Sequence, residues 1–122
     1  MSDSIKTILL VDDEQDIIDS ISVRLQASGY QIIAARDGLE ALKKARSLRP
    51  DLIILDLMLP KMDGYKVARL LKFDKRYSDI PILILSARGQ EIDKELARSA
   101  GADDYLVKPF DSAELLTRIK EL

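Results

Sequence analysis

Carboxylate, hydroxyl and ammonium groups directly follow short apolar segments of the chain. Asp12 and Asp13 follow the first segment, Asp56 and Ser86 follow two later ones, and Lys108 follows the last. Carboxylate ligands without histidine or cysteine favour Mg²⁺ over zinc, and Mg²⁺ commonly takes a further ligand from a substrate phosphate. A lysine ammonium suits a phosphate oxygen, and a serine hydroxyl can donate to another. The residue types therefore predict Mg²⁺-dependent phosphate chemistry, in which cations offset three mutually repelling carboxylates.

The composition excludes several other kinds of chemistry. The chain has 122 residues, with 19 Lys and Arg against 21 Asp and Glu, and it contains no His, Cys or Trp. It therefore cannot form a thiolate zinc site, use a cysteine nucleophile or build a Ser-His-Asp triad. The formal net charge of -2 provides no broad basic surface, so we expect no direct nucleic-acid binding by this domain.

The apolar segments do not alternate with polar residues, which is typical of strands buried on both faces of a sheet. Pro81 is compatible with a strand because it lies near the start of its segment. The predicted strands are Ile8–Val11, Tyr30–Ala35, Leu52–Leu55, Ile80–Leu85 and Tyr105–Val107. The second of them ends in Ala35-Arg36 and is expected to contribute less to a site.

Between the strands, apolar residues recur with helical spacing. A helix near 14–28 is predicted to end at Gly29, and another to end at Gly101. Capping-box spacing at Asp37 with Glu40, and again at Asp111 with Glu114, predicts two helix starts, and a further helix follows Asp63-Gly64. The buried helix faces are predicted to include Ile17, Ile18, Ile21, Val23, Leu25, Ala41, Leu42, Ala45, Val67, Leu70, Leu71, Leu96, Ala97, Ala100, Leu115, Leu116, Ile119 and Leu122.

Strands alternating with helices predict a single α/β domain over residues 1–122, with a parallel sheet covered on both faces. Right-handed crossovers leave few arrangements, of which a doubly wound sheet fits best. Ligands of such sheets bind beyond the carboxyl ends of the strands, where the polar residues named first are expected. The short, polar segment Met1 to Lys6 has no signal-peptide pattern and no segment is long enough to span a membrane, so we expect a cytoplasmic location without membrane association.

The chain resembles the CheY-like receiver domain of two-component response regulators over essentially its whole length. Each matching segment is modest alone, but the set occurs in order at the spacing of the family. The segments are LLVDDE at 9–14, PDLIILDLMLPKMDG at 50–64, PILILSA at 81–87 and GADDYLVKPF at 101–110. The resemblance implies a flavodoxin-like (βα)5 fold with a five-stranded parallel sheet in the order 2-1-3-4-5.

The resemblance also assigns a role to each polar residue. Asp56 matches the aspartate that accepts a phosphoryl group from the phosphohistidine of a sensor histidine kinase or phosphotransfer protein. Asp12 and Asp13, together with Asp56 and the backbone carbonyl of Met58, match the ligands of Mg²⁺. Lys108 matches the lysine that contacts the acceptor and the phosphoryl oxygens.

One phosphoryl oxygen is expected to be received by Ser86 with the backbone amide of Ala87. By the same resemblance, Ser86 and Tyr105 match the switch pair, in which the serine moves toward the phosphoryl group and the aromatic ring turns inward. A half-buried strand aromatic is the simpler interpretation of Tyr105.

Met58 and Arg88 flank the pocket, and neither is a carboxylate or an amide that could orient water. Slow self-dephosphorylation is therefore expected, although Arg88 equally fits a solvated or ion-paired residue.

Charged residues of the fourth helix, fifth strand and fifth helix resemble those of receivers joined to winged-helix DNA-binding domains, which form symmetric dimers when phosphorylated. Lys94 with Glu114, and Asp104 with Arg118, match the charged pairs of that face. The capping position of Glu114 is a competing explanation. The chain is then either a stand-alone receiver or a domain excised from a longer regulator.

Two other functions stay open at the level of the sequence. A Mg²⁺-dependent phosphohydrolase or nuclease could use the same acidic cluster, but Met58 stands where aspartate-based phosphatases of the haloacid-dehalogenase type need a second acid. A degenerate receiver that only binds partners is disfavoured by the intact set of site residues. We therefore expect a signalling domain and not a turnover enzyme.

Overall fold

The structure is a computed structural model that describes residues 5–122, so residues 1–4 of the predicted polar N-terminus lie outside the described part. The strands and helices alternate along the chain. They are β1 (Thr7–Val11), α1 (Gln15–Ala27), β2 (Gln31–Ala35), α2 (Gly38–Leu48), β3 (Leu52–Leu55), α3 (Gly64–Lys72), β4 (Ile82–Ser86), α4 (Glu91–Ser99), β5 (Asp104–Val107) and α5 (Ser112–Lys120).

The strands form one sheet in the order β2-β1-β3-β4-β5, and all neighbouring strands are parallel. This confirms the predicted doubly wound fold. The register pairs Val11 with Leu55 and Ser86 with Val107. Because paired residues at the ends of these strands are level, the residues that follow them emerge at one edge of the sheet.

Each face of the sheet is covered by its own apolar cluster, because alternate strand residues point to opposite faces. On one face, Leu9 and Ile53 belong to the cluster that contains the buried residues of α2, α3 and α4. On the other, Ile8 and Ile54 pack with α1 and α5. Both faces of the central strands are therefore buried, which explains their continuous apolar sequences.

Four residues predicted on buried helix faces are exposed instead: Val23 by 67%, Leu70 by 37%, Leu96 by 46% and Leu122 by 36%. The first three lie outside the narrow arc of each helix that faces the sheet. Other apolar residues of the same helices, at helical spacing, already occupy that arc. Leu122 follows the last residue of α5 and does not share its buried face.

Both helix starts that were predicted from capping spacing are observed, with Asp37 and Asp111 as the N-cap residues. The Asp37 carboxylate accepts from the Glu40 N–H at 2.8 Å, as predicted. The Asp111 carboxylate accepts instead from the Ala113 N–H at 2.9 Å, and the Glu114 carboxylate lies 3.5 Å from an Arg118 nitrogen. The helix start predicted at Asp111 is therefore confirmed, but the reciprocal bond of a capping box is not formed, because the Glu114 side chain pairs with Arg118 along its own helix.

The opposite edge of the sheet is closed by an aromatic and cationic stack. Two guanidinium groups lie over the Tyr77 ring, with the Arg49 and Arg76 Cζ atoms 5.5 Å and 5.2 Å from the ring centre. Arg49 also contacts Asp79 at 3.3 Å. This stack connects the turn before β3 to the turn before β4. None of the helices between residues 5 and 122 has the length and apolar character that a membrane span requires.

Candidate functional site

The fold brings the three predicted acidic residues together. Asp12 and Asp13 follow β1, Asp56 follows β3, and one carboxylate oxygen from each lies within 4.8 Å of the others. Asp12 and Asp56 are buried, with exposures of 2% and 8%, whereas Asp13 is exposed. The cluster is therefore reached from solvent on the Asp13 side.

A single ammonium group bridges the two buried carboxylates. The Nζ of Lys108 lies 2.7 Å from Asp12 Oδ2 and 3.2 Å from Asp56 Oδ2. Burial lowers the pKa of Lys108, but the two carboxylates outweigh burial and leave this pKa above its ordinary value. The lysine thus stays charged and offsets part of the repulsion within the cluster.

Asp56 is tuned by opposing effects. Burial raises its pKa above the ordinary value, and the Asp12 charge acts in the same direction. The Met58 N–H, which donates to Asp56 Oδ1 at 3.2 Å, and the Lys108 charge oppose this shift. Ionised Asp56 is therefore held in a site that leaves its negative charge incompletely compensated.

The loop after β1 is fixed by two hydrogen bonds. The Asp12 carboxylate accepts from the Glu14 N–H at 3.0 Å, and the Arg36 guanidinium donates to the Asp13 carbonyl at 2.9 Å. Arg36 directly follows β2, the strand that the sequence predicted to contribute less to the site. In the sequence, only the position of Arg36 after a strand points to the site. Its contact with Asp13 joins two loops that are distant in sequence, so no local pattern predicts it.

The loop between β3 and α3 is held against α2 by a glycine. A Cβ atom at Gly38 would lie 1.9 Å from the Met62 carbonyl oxygen. The Gly38 N–H also donates to the Pro60 carbonyl at 3.2 Å. The same loop carries Met58, whose side chain is exposed. Gly38 therefore allows this loop to lie close against the start of α2, a contact that the sequence did not predict.

The predicted oxygen-binding residues lie beside the cluster. Ser86 ends β4, is fully buried and accepts from the Arg88 N–H through Oγ at 3.3 Å. Exposed Ala87 lines a groove together with Lys108. The Arg88 guanidinium lies 3.9 Å from an Asp93 carboxylate oxygen, so its side chain fits the ion-paired alternative.

Tyr105 lies with its ring against the core cluster that contains α2, α3 and α4. Its hydroxyl donates to the Arg88 carbonyl, which places the ring beside the loop that follows Ser86. Burial raises the pKa of Tyr105 to about 12, and the nearby Tyr65 and Asp93 act in the same direction. The hydroxyl is therefore a hydrogen-bond donor at neutral pH.

The residues predicted for a dimer face lie on α4, β5 and α5 and pair within the chain. Arg118 contacts Asp104 at 2.8 Å and Glu114 at 3.5 Å. Lys94 lies 4.0 Å from Glu91 and not beside Glu114. The Asp104–Arg118 pair is thus present within one chain, whereas a pair of Lys94 with Glu114 stays a prediction for two copies.

The donor set fits a hard cation. Three carboxylates that approach one another from two strand ends supply the oxygen ligands that Mg²⁺ prefers. The exposed side of the cluster at Asp13 leaves room for the water molecules that Mg²⁺ usually retains. The residues that could hold the ion are Asp12, Asp13 and Asp56, with the Met58 carbonyl as a further predicted ligand.

Solved structures share this fold closely. CheY4, a chemotaxis protein of Vibrio cholerae, is 35% identical with a TM-score of 0.89 and 97% of this chain and 98% of that chain covered. The receiver domain of the sensor histidine kinase PA1611 from Pseudomonas aeruginosa is 34% identical with a TM-score of 0.88, and 97% of each chain is covered. Its structure is described as having a magnesium ion coordinated in the active-site cleft.

Curated relatives are transcription regulators by name. The master transcriptional regulator RpaA of Synechocystis is 49% identical over 115 residues, which cover 94% of this chain and 48% of RpaA. The regulatory protein PhoP of Bacillus subtilis is 49% identical over 117 residues, 96% of this chain and 48% of PhoP. The chain thus spans about half the length of these relatives. Residues 8–120 match the model of the response regulator receiver domain, and the chain belongs to this family.

Proposed function

We propose that this domain accepts a phosphoryl group on Asp56 from the phosphohistidine of a histidine kinase or phosphotransfer protein. The observation that carries the proposal is the Lys108 ammonium, which bridges Asp12 and Asp56 within a cluster of three carboxylates. Phosphoryl transfer depends mainly on positioning and on compensation of charge, and this cluster provides both without a general base.

In the proposed step, a carboxylate oxygen of Asp56 attacks phosphorus and a P–O bond forms. The P–N bond to the donor imidazole breaks, and its electron pair returns to the ring nitrogen. No proton has to leave Asp56, because the attacking carboxylate is already ionised. The product is an acyl phosphate, which is a known outcome of carboxylate nucleophiles.

The surrounding residues act on the charge of the transferred group. Lys108 would contact the phosphoryl oxygens next to Asp56, and the Ser86 hydroxyl and the Ala87 amide would donate to another of them. Mg²⁺, held by Asp12, Asp13, Asp56 and the Met58 carbonyl, would supply the remaining positive charge that the equatorial oxygens need.

The output of the domain is proposed to be a change in the face formed by α4, β5 and α5. A phosphoryl group adds a charge of about -1.5 to -2 and strong acceptor oxygens, which favour movement of Ser86 toward it. The Tyr105 ring packs against the core cluster and its hydroxyl donates to the Arg88 carbonyl, and this is the arrangement that the movement would stabilise. The change would bias an effector or a symmetric dimer through Lys94, Asp104, Glu114 and Arg118.

The donor is proposed to approach over α1. An apolar groove of about 460 Å³ lies beside the cluster and is lined by Ile17, Ile21, Pro109 and Phe110 together with Ala87 and Lys108. A helical partner that packs on this groove would present its phosphohistidine to Asp56. The groove lies next to the site and on a different surface from the α4, β5 and α5 face, so input and output would not compete.

Intact-mass spectrometry after incubation with Mg²⁺ and acetyl phosphate tests the phosphoacceptor role. We expect one stoichiometric phosphoryl adduct that is absent in Asp56→Asn and present in Asp51→Asn, a matched aspartate at the other edge of the sheet. Continuous release of phosphate over many turnovers would favour a phosphohydrolase. The absence of any adduct in the wild-type protein would favour a binding module and would overturn the proposal.

A further inference from the structure

Asp93 is a buried acid that lies outside the metal and phosphoacceptor cluster. It is 9% exposed and occupies the third position of α4. Its carboxylate accepts from the Gln90 N–H at 3.3 Å, at the start of the helix. A negative charge at this position is favourable beside the unpaired N–H groups of a helix start. This effect accounts for an acid at the position but not for its burial.

The residue that helps to bury Asp93 comes from a different helix. The Tyr65 hydroxyl lies 3.3 Å from the Asp93 carbonyl oxygen and 3.5 Å from its carboxylate Oδ1. Tyr65 is the second residue of α3, and the N–H of the preceding Gly64 donates to the Leu57 carbonyl at 2.9 Å. Tyr65 thus connects the residue next to Asp56 to the first turn of α4.

The same point of α4 also contacts the loop after Ser86. Arg88 lies 3.9 Å from Asp93 through its guanidinium, accepts from Tyr105 through its carbonyl and donates to Ser86 through its N–H. Asp93 is therefore placed where two routes from the phosphoacceptor site meet. One route runs along β4 through Ser86, and the other runs along α3 through Tyr65.

We propose that Tyr65 and Asp93 are positioning residues that couple occupancy of the Asp56 site to the first turn of α4, in parallel with Ser86 and Tyr105. The inference rests on the proposed phosphoacceptor function and adds a second route of regulation to it. The contact occurs together with the bond from the Tyr105 hydroxyl to the Arg88 carbonyl, the arrangement proposed for the phosphorylated state. Loss of the contact should therefore penalise that state and weaken binding of a phosphoryl mimic.

The test measures the affinity for beryllofluoride at saturating Mg²⁺ by fluorine NMR, with amide exchange of residues 91–94 followed in the same samples. One neutral hydrogen bond is worth about 0.5–1.5 kcal/mol, so we expect Tyr65→Phe to weaken beryllofluoride binding about two- to tenfold. The exchange response of α4 to beryllofluoride should fall by a similar factor. The affinity for Mg²⁺ alone should not change, because Tyr65 does not belong to the carboxylate cluster.

Two further variants separate positioning from folding. Asp93→Ala should also weaken binding, and the loss in the double variant should be smaller than the sum of the two single losses, since both substitutions remove the contact between the Tyr65 hydroxyl and the Asp93 carboxylate. Asp93→Asn keeps one side-chain oxygen as an acceptor for either Tyr65 or the Gln90 N–H, and should restore part of the affinity. Tyr77→Phe and Glu95→Ala, a tyrosine at the opposite edge and an exposed acid of α4, should bind like the wild type.

The outcomes distinguish this inference from the proposed function. A wild-type protein that neither binds beryllofluoride nor forms an acyl phosphate would disprove the phosphoacceptor role itself. Wild-type binding together with unchanged affinity and exchange in Tyr65→Phe would disprove the coupling alone. Additive losses in the double variant would also overturn it, because Tyr65 and Asp93 would then act independently.

Discussion

Lys108 and Asp12 lie 96 residues apart in the chain, and their side chains meet at 2.7 Å. The ammonium competes for the same carboxylates that would bind a divalent cation, because it also lies 3.2 Å from Asp56. The Lys108 ammonium is therefore a built-in positive charge that would repel a divalent cation bound by the same carboxylates. In the proposed function, this one side chain would therefore both weaken the binding of Mg²⁺ and compensate charge during phosphoryl transfer.

Replacement of Lys108 by methionine should make these opposing effects visible. We expect Mg²⁺ to bind about tenfold more tightly, since like charges a few ångströms apart repel by ~1 kcal/mol or more at protein surfaces. Without Mg²⁺ the variant should be less stable by about 3 kcal/mol, because buried carboxylates lose their partner. Calorimetric titration and thermal unfolding measure both effects, with Lys120→Met as the control. Unchanged or weaker Mg²⁺ binding would contradict the assignment.

Asp13 should be indispensable for the metal because it is the exposed carboxylate of the cluster. We expect Asp13→Ala to abolish measurable Mg²⁺ binding, a loss of at least about 100-fold for one direct ligand of a weakly held hard cation. Glu14→Ala is the control, because Glu14 contacts Asp12 through its backbone N–H and not through its carboxylate. This variant should keep the affinity for Mg²⁺ within about threefold of the wild type. Equal affinities in the two variants would place the ion elsewhere.

Asp56→Asn should raise the stability of the domain at neutral pH. The raised pKa of Asp56, caused first by burial, means that the folded state holds this proton more firmly than the unfolded chain. The free energy of unfolding therefore falls as the pH rises from the ordinary value of 3.8 through the folded value. Thermal unfolding at pH 4 and pH 7 should show that the gain from Asn grows with pH. Asp16→Asn, at an exposed position of α1, serves as the control and should show no such gain.

The Tyr105 phenol should titrate in the alkaline range and affect stability there. The unfolded chain releases this proton near pH 10, whereas burial holds the pKa of folded Tyr105 at about 12. The Tyr105 contribution to stability is thus complete below pH 10 and is lost as the pH rises toward 12. Absorbance of phenolate against pH should lose its most alkaline phase in Tyr105→Phe. Persistence of that phase would show that another tyrosine is the protected one.

Gly38→Ala should displace the loop between β3 and α3. The added Cβ would meet backbone atoms of Met62 at 1.9 Å, which a rotamer change cannot relieve. We expect a loss of about 2–3 kcal/mol in the free energy of unfolding, as for overpacked sites. Gly89→Ala adds the same atom 3.1 Å from a Val107 methyl group and should cost less. Denaturant unfolding of both variants tests the difference, and equal losses would assign no special role to Gly38.

The fold and the site centre were predictable because their signals are local. Continuous apolar segments identify strands buried on both faces, and the topology then brings the residues after those strands to one edge. The positions of strand ends and the family motifs were sufficient to predict that Asp12, Asp56 and Lys108 belong to the site. The parallel order of the sheet and the acidic cluster were confirmed on this basis.

The contacts between loops were not predictable in the same way. Arg36 donates to the Asp13 carbonyl and Tyr65 contacts Asp93 across distances in sequence that no local pattern encodes. Glu114 has the spacing of a capping residue, but its carboxylate is taken by Arg118. Helical spacing also placed Val23 on the buried face, because periodicity does not define how wide the buried arc is.

The Tyr77 stack has a practical consequence for measurements on this protein. Arg49 and Arg76 hold the turns at the edge of the sheet farthest from Asp56, and Ser47 and Ser78 are exposed there. Because the chain contains no cysteine, a cysteine introduced at either serine would be its single thiol. A fluorophore or surface tether attached there would lie away from both the groove proposed for the donor and the α4, β5 and α5 face proposed for the output.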